Sequence, residues 1–117
     1  MTCYRRCAVG LIAFGLSGLS LGQADIDNEA AERLLKRNDC FKCHAIDKTK
    51  KGPAYSRVAA RLKSKPDAVE VIIEHVSTGP LIQFDDGAAE RHRIVDTKDH
   101  KELENLARWI LSLPAPR

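Results

Sequence analysis

Cys40-Phe41-Lys42-Cys43-His44 puts two thiols and an imidazole within five residues. Thiols at this spacing can bond to the two vinyl groups on neighbouring edges of a porphyrin. The adjacent imidazole is then carried over the ring face to coordinate iron, which is the arrangement that attaches a c-type haem. Phe41 is a filler at a position where the motif tolerates any side chain. Three other chemistries use the same residue types. A closed zinc site needs four ligands, and with no second Cys pair it would have to recruit His75, His92, His100 or carboxylates. A thioredoxin-like redox pair calls for a βαβ setting, and the two thiols can also close on one another as a local disulfide.

The context of the motif favours haem. Residues 1–24 begin with Arg5 and Arg6, contain no Asp or Glu, run apolar or small from Cys7 to Leu21 and end Gly22-Gln23-Ala24. A basic start, a short apolar run and a small-x-Ala end describe a cleavable signal peptide for export to the periplasm. The run is shorter than the roughly 20 apolar residues of a spanning helix. Cleavage removes Cys3 and Cys7, leaves residues 25–117 as the domain, and takes two of the 19 basic residues and none of the 16 acidic ones. The resulting balance, close to neutral, carries no basic stripe of the kind that nucleic-acid binding needs. Leu, Ile, Val and Phe supply 22 of those 93 residues, little above the roughly 20% below which chains tend to be disordered. A large apolar ligand would complete so thin a core.

The elements that must position the motif read as helices. Ala30, Ala31, Leu34 and Leu35 share one helix face, with Glu29 and Glu32 in the first turn, predicting a helix over Asn28 to Asn38. A polar loop from Asp47 to Lys51 closes on Gly52-Pro53. A short helix follows, with Tyr55, Val58, Ala59 and Leu62 inward. The next helix is expected to start at Ser64 as N-cap, with Pro66 in its first turn and Asp67 as capping-box partner, and to end at Gly79-Pro80. Residues Leu81 to Lys98 show no clean period beyond a turn at Asp85-Asp86-Gly87, and a long irregular segment in a small domain is usually functional. The last helix opens with Asp99 and a capping-box Glu102, carries Leu103, Leu106, Ile110 and Leu113, and stops at Pro114. The expected fold class is all-α, about four helices wrapped around one covalently bound haem.

At this level the chain from residue 25 onward resembles the class I c-type cytochromes, especially the small bacterial kind called c551 or c552. The likeness lies in Leu35-Lys36 leading to Cys40-x-x-Cys43-His44-Ala45-Ile46-Asp47, in Lys51-Gly52-Pro53-Ala54-Tyr55, in Val58-Ala59-Ala60, and in Leu106 to Ser112. It implies that His44 is the proximal iron ligand and that the Pro53 carbonyl accepts from its Nδ1–H. It also implies that the first and last helices cross near Leu34, Leu35 and Trp109. Tyr55 and Trp109 would either hydrogen-bond haem propionates or pack against the ring. The family usually takes its sixth iron ligand, a methionine, from the loop before the last helix. Here Met1 is the sole methionine. Counting back from Asp99 puts His92 within about one residue of the family's methionine, so His92 is the expected distal ligand. His75, His100, Gln83, a lysine or an open sixth position are the alternatives.

The function these residues imply is one-electron transfer in the periplasm, with both axial positions filled by histidine and a reduction potential below that of His/Met relatives. A second reading is a haem-based binder or sensor of carbon monoxide, nitric oxide or oxygen, if the sixth position is weak or open. A third is a haem subunit of a larger oxidoreductase. Catalysis by this chain alone is not expected, because no nucleophile–base set or carboxylate pair stands beside the motif. The partners would be other redox proteins, met as a monomer or within a complex and without membrane attachment after cleavage. Lys42, Lys48, Lys50 and Lys51 offer a basic edge to an acidic partner.

Overall fold

In the first helix, α1 (Asn28–Arg37), the side chain of Asp27 accepts from the amide of Ala30 and caps the start. Glu29 in the first turn and Lys36 and Arg37 in the last complement the helix dipole. The computed structural model of the chain describes residues 25–116; the expected signal segment 1–24, with Cys3 and Cys7, lies outside the described residues. Asn38 ends α1 and is buried. Its side chain donates to the Leu34 carbonyl at 2.9 Å and accepts from the Asp96 amide at 2.7 Å. Asp39 then adopts a left-handed conformation, φ 57°, and swings the chain into a 3₁₀ turn over Cys40–Lys42.

Helix α2 spans Tyr55–Leu62, α3 Ala68–Thr78 and α4 His100–Ser112. Helix α3 starts three residues later than the sequence predicts, with its N-cap at Asp67 in place of Ser64. Proline disfavours the helical region for the residue before it, so Lys65 cannot begin a helix ahead of Pro66. The amide of Lys65 instead bonds back to Leu62, and Asp67 becomes the N-cap with no side-chain bond. Gly79, φ +59°, ends α3 in the left-handed conformation expected there. At α4, Asp99 caps the amide of Lys101, but Glu102 does not complete the capping box. Its carboxylate takes Arg37 and the Thr97 hydroxyl instead, tying α4 to α1 and to the preceding loop.

The second departure is a hairpin where the sequence predicts an irregular loop. Strands β1 (Leu81–Gln83) and β2 (Ala89–Arg91) pair antiparallel, Ile82 opposite Glu90. The turn between them is the expected one, with Gly87 at φ +83° and Asp86 accepting from the Ala88 amide. Three-residue strands are too short to show alternation, so nothing in their side chains announces them.

Helices α1, α2 and α3 all pack on α4. Leu34, Leu35, Tyr55, Leu62, Ile72, Leu106, Trp109 and Ile110 form one buried cluster, with Leu34 and Leu106 wholly enclosed. Asn105 of α4 exchanges two 2.8 Å hydrogen bonds with the backbone of Asp27 and so fixes how α1 lies across it. Among the described residues no helix is long and apolar enough to cross a membrane.

Candidate metal centre

The 3₁₀ turn brings Cys40, Cys43 and His44 onto one edge of the helical core: the amides of Cys43 and His44 both bond to the Cys40 carbonyl, at 3.2 and 3.0 Å. Both cysteines are free thiols and half-buried. Burial pushes the Cys40 thiol up, against a lowering contribution from Arg93. The loop that follows folds back over the imidazole. The Gly52 amide bonds to Cys43, and the Pro53 carbonyl lies 2.7 Å from His44 Nδ1. A carbonyl only accepts, so Nδ1 carries the proton and Nε2 keeps a free lone pair. Gly52 makes this closure possible, since a Cβ there would stand 2.4 Å from Cε1 of His44. On the other side the ring stacks with Tyr55, centroids 5.0 Å apart and planes at 19°. The first turn of α2 is hung on the chain after His44 by Tyr55 N–H to Ala45 O and Ser56 N–H to Ile46 O.

His92 follows β2 directly, and its ring centroid lies 5.9 Å from that of His44. Its amide donates to the Pro80 carbonyl, and its Nδ1 lies 2.8 Å from the Arg93 carbonyl. Nε2 of His92 is therefore also the nitrogen left free. Burial pushes the His92 imidazole pKa down, opposed by the Arg93 hydrogen bond and reinforced by His44. That of His75 is pushed down by burial first, then by His92. Both are biased toward the neutral form that ligates metals. Among the described residues no group of three or more His, Cys, Asp or Glu is placed to hold a metal by itself, which leaves the zinc alternative without a closed donor set.

The donor set fits a haem. Two imidazoles facing one metal from opposite sides, with bonds of about 2 Å as at zinc and ring centres roughly 1 Å farther out, put their centroids about 6 Å apart. These two stand at that separation, both with Nε2 free. An open cavity of about 650 Å³ flanks the Gly52-Pro53 loop, lined in part by Lys51, Arg57, Val58 and Arg61. None of Cys40, Cys43, His44 and His92 lines that cavity, so it lies beside the site.

Cys40, Cys43, His44, Pro53, Tyr55 and His92 thus come together. Trp109 lies one layer deeper, edge-on to Tyr55 at 6.1 Å, and is buried in the core cluster. His100 is exposed at the start of α4, and Gln83 is exposed on β1. His75, on α3, packs its ring against His92, centroids 4.4 Å apart; nothing in the sequence pattern marks that contact. Two of the four lysines of the expected basic edge, Lys42, Lys48, Lys50 and Lys51, are ion-paired within the molecule. Lys51 pairs with Glu90 of β2 at 2.6 Å and lies over the Phe84 ring, Lys42 pairs with Asp39, and the Lys50 ammonium donates to the Phe41 carbonyl.

The sequence profile of the cytochrome c family matches residues 29–114. The chain is 29% identical over 99 residues to cytochrome c-552 of Hydrogenobacter thermophilus, across 85% of this chain and 89% of that protein. It is 31% identical over 84 residues to cytochrome c-551 of Pseudomonas aeruginosa, across 72% and 77%. Among solved structures it resembles the class 1 cytochrome MtoD from Sideroxydans lithotrophicus ES-1 with a TM-score of 0.72 at 42% identity, covering 76% of this chain and 98% of that one.

Proposed function

The chain belongs to the cytochrome c family, and from that membership we propose that it is an exported, low-potential one-electron carrier with bis-histidine iron ligation. Its cofactor is a single haem c attached through Cys40 and Cys43, and when bound the haem supplies the ferric/ferrous couple. In this reading His44 and His92 hold the iron from the two faces. The observation that carries it is the neighbouring pair of imidazoles, centroids 5.9 Å apart, each with Nδ1 tied to a backbone carbonyl.

The surrounding residues hold these two rings ready. Pro53 and Arg93 select the tautomer and raise the basicity of the ligating nitrogens. Tyr55 backs His44 and, with Trp109 behind it, keeps water from that side. With the iron held by His44 and His92, the site would leave no position for a substrate and little would rearrange when the charge changes, which suits a carrier that meets redox partner proteins. Histidine in place of a thioether lowers the potential relative to His/Met relatives. Residues 1–24 direct the chain to the periplasm and are removed.

The test is the absorption spectrum of the periplasmically matured protein, ferric and ferrous, beside its His92→Ala variant. The wild type is expected to be low-spin and the variant high-spin, with carbon monoxide binding the ferrous variant rapidly. A variant that stays low-spin overturns the assignment of His92. A wild type that is already high-spin favours the gas binder over the carrier.

A further inference from the structure

The segment that carries His92 is sewn to the end of α3. The His92 amide bonds to Pro80 and the Val95 amide to Val76, each at 2.9 Å. At Gly79 the backbones run so close that a Cβ would stand 2.7 Å from the His92 carbonyl. These contacts fix the backbone of His92. Its side chain has one hydrogen bond, to the carbonyl of the next residue in the same loop, and such a bond moves with the loop. The aromatic contact from a helix is that of His75, whose ring meets that of His92 edge-to-face, centroids 4.4 Å apart and planes at 64°.

Resting on the reading of His92 as distal ligand, we propose that His75 is its positioning residue: the His75 ring on α3 is the wall that sets the plane of the His92 imidazole, 50° from that of His44. Edge-to-face packing is directional, because the positive edge of one ring seeks the negative face of the other, so it resists rotation that plain contact would allow. The angle has a physical consequence. Each axial imidazole donates π density along one direction only, so the angle between the two planes determines how the d orbitals of a low-spin ferric ion split. His75 sits at the surface of α3, partly covered by His92, and lies outside the buried core cluster, so it can be replaced without opening the core.

The experiment is ferric electron paramagnetic resonance of the haem-loaded wild type, His75→Ala and His75→Phe, with carbon monoxide binding to the ferrous forms and His92→Ala as reference. His75→Ala is expected to remain low-spin with shifted g-values and to bind carbon monoxide roughly 2- to 12-fold faster, the range one aromatic pair spans. His75→Phe, which keeps a ring but cannot ligate, is expected to restore the wild-type values. Wild-type g-values in His75→Ala, or a His75→Phe that behaves like the alanine variant, overturn the positioning role while leaving His92 as ligand. If His75→Ala turns high-spin while His92→Ala stays low-spin, His75 is itself the ligand and both readings fall.

Discussion

A backbone carbonyl can only accept, so the bonds from His44 to Pro53 and from His92 to Arg93 place both protons on Nδ1 and leave both Nε2 lone pairs free. That choice depends on Gly52. Any side chain there runs into the His44 ring, which is held on its other side by Tyr55 and cannot step aside. Gly52→Ala is expected to tilt the imidazole off the Pro53 carbonyl and to cost about 1–3 kcal/mol, the usual range for overpacking. Thermal unfolding of the haem-loaded protein followed at the Soret band checks it, and an unchanged midpoint would show that the loop relaxes freely. At this scale much could be read in advance. Cys40, Cys43 and His44 form one short motif, and the expectation at His92 rests on the resemblance together with the count back from Asp99. Gly52 read only as a loop closer, because the demand it meets comes from a side chain eight positions away. The contact of His75 with His92 joins a helix to a loop 17 positions on, and no periodicity encodes that.

The hinge between the helical frame and the site is Asn38. Its side-chain amide donates to the Leu34 carbonyl in the last turn of α1 and accepts from the Asp96 amide of the loop before α4, the first bond buried and the second part-buried. Asn38→Ala leaves the Asp96 amide without its partner, while the Leu34 carbonyl keeps the bond from the backbone amide of residue 38. A loss of about 1–3 kcal/mol, the cost of one unpaired polar group, is expected in urea unfolding, with little change in the m-value. An unchanged midpoint would mean that water replaces the lost bond. Helices α1 and α4 are legible because apolar spacing and caps agree, and α2 by its apolar spacing alone. At the start of α3 the capping pattern from Ser64 to Asp67 conflicts with the restriction Pro66 imposes on Lys65, and the restriction wins. The hairpin has no sequence signal: its strands are three residues long, and the contacts of Lys51 with Phe84 and Glu90 span 33 and 39 positions.

For the molecule as a whole, three helices close on α4 and leave one edge to a cofactor, and the apolar content is meagre enough that this cofactor belongs to the core. The fold class was readable from helical period and the thin core, and the family from blocks in order along the chain. The charge pattern is only partly legible in sequence, because two of the four lysines around the motif, Lys42 and Lys51, are paired in three dimensions with Asp39 and Glu90. The central claim is that a second histidine sets the potential. Axial ligands span about 0.8 V among haem proteins, and methionine with histidine lies at the higher end. The most direct measurement is a spectroelectrochemical titration of the wild type beside His92→Met. The account predicts that the variant stays low-spin and that its potential rises, by on the order of 100 mV or more. A variant whose spectrum and potential match the wild type would contradict it, since the iron would then take its sixth ligand from elsewhere.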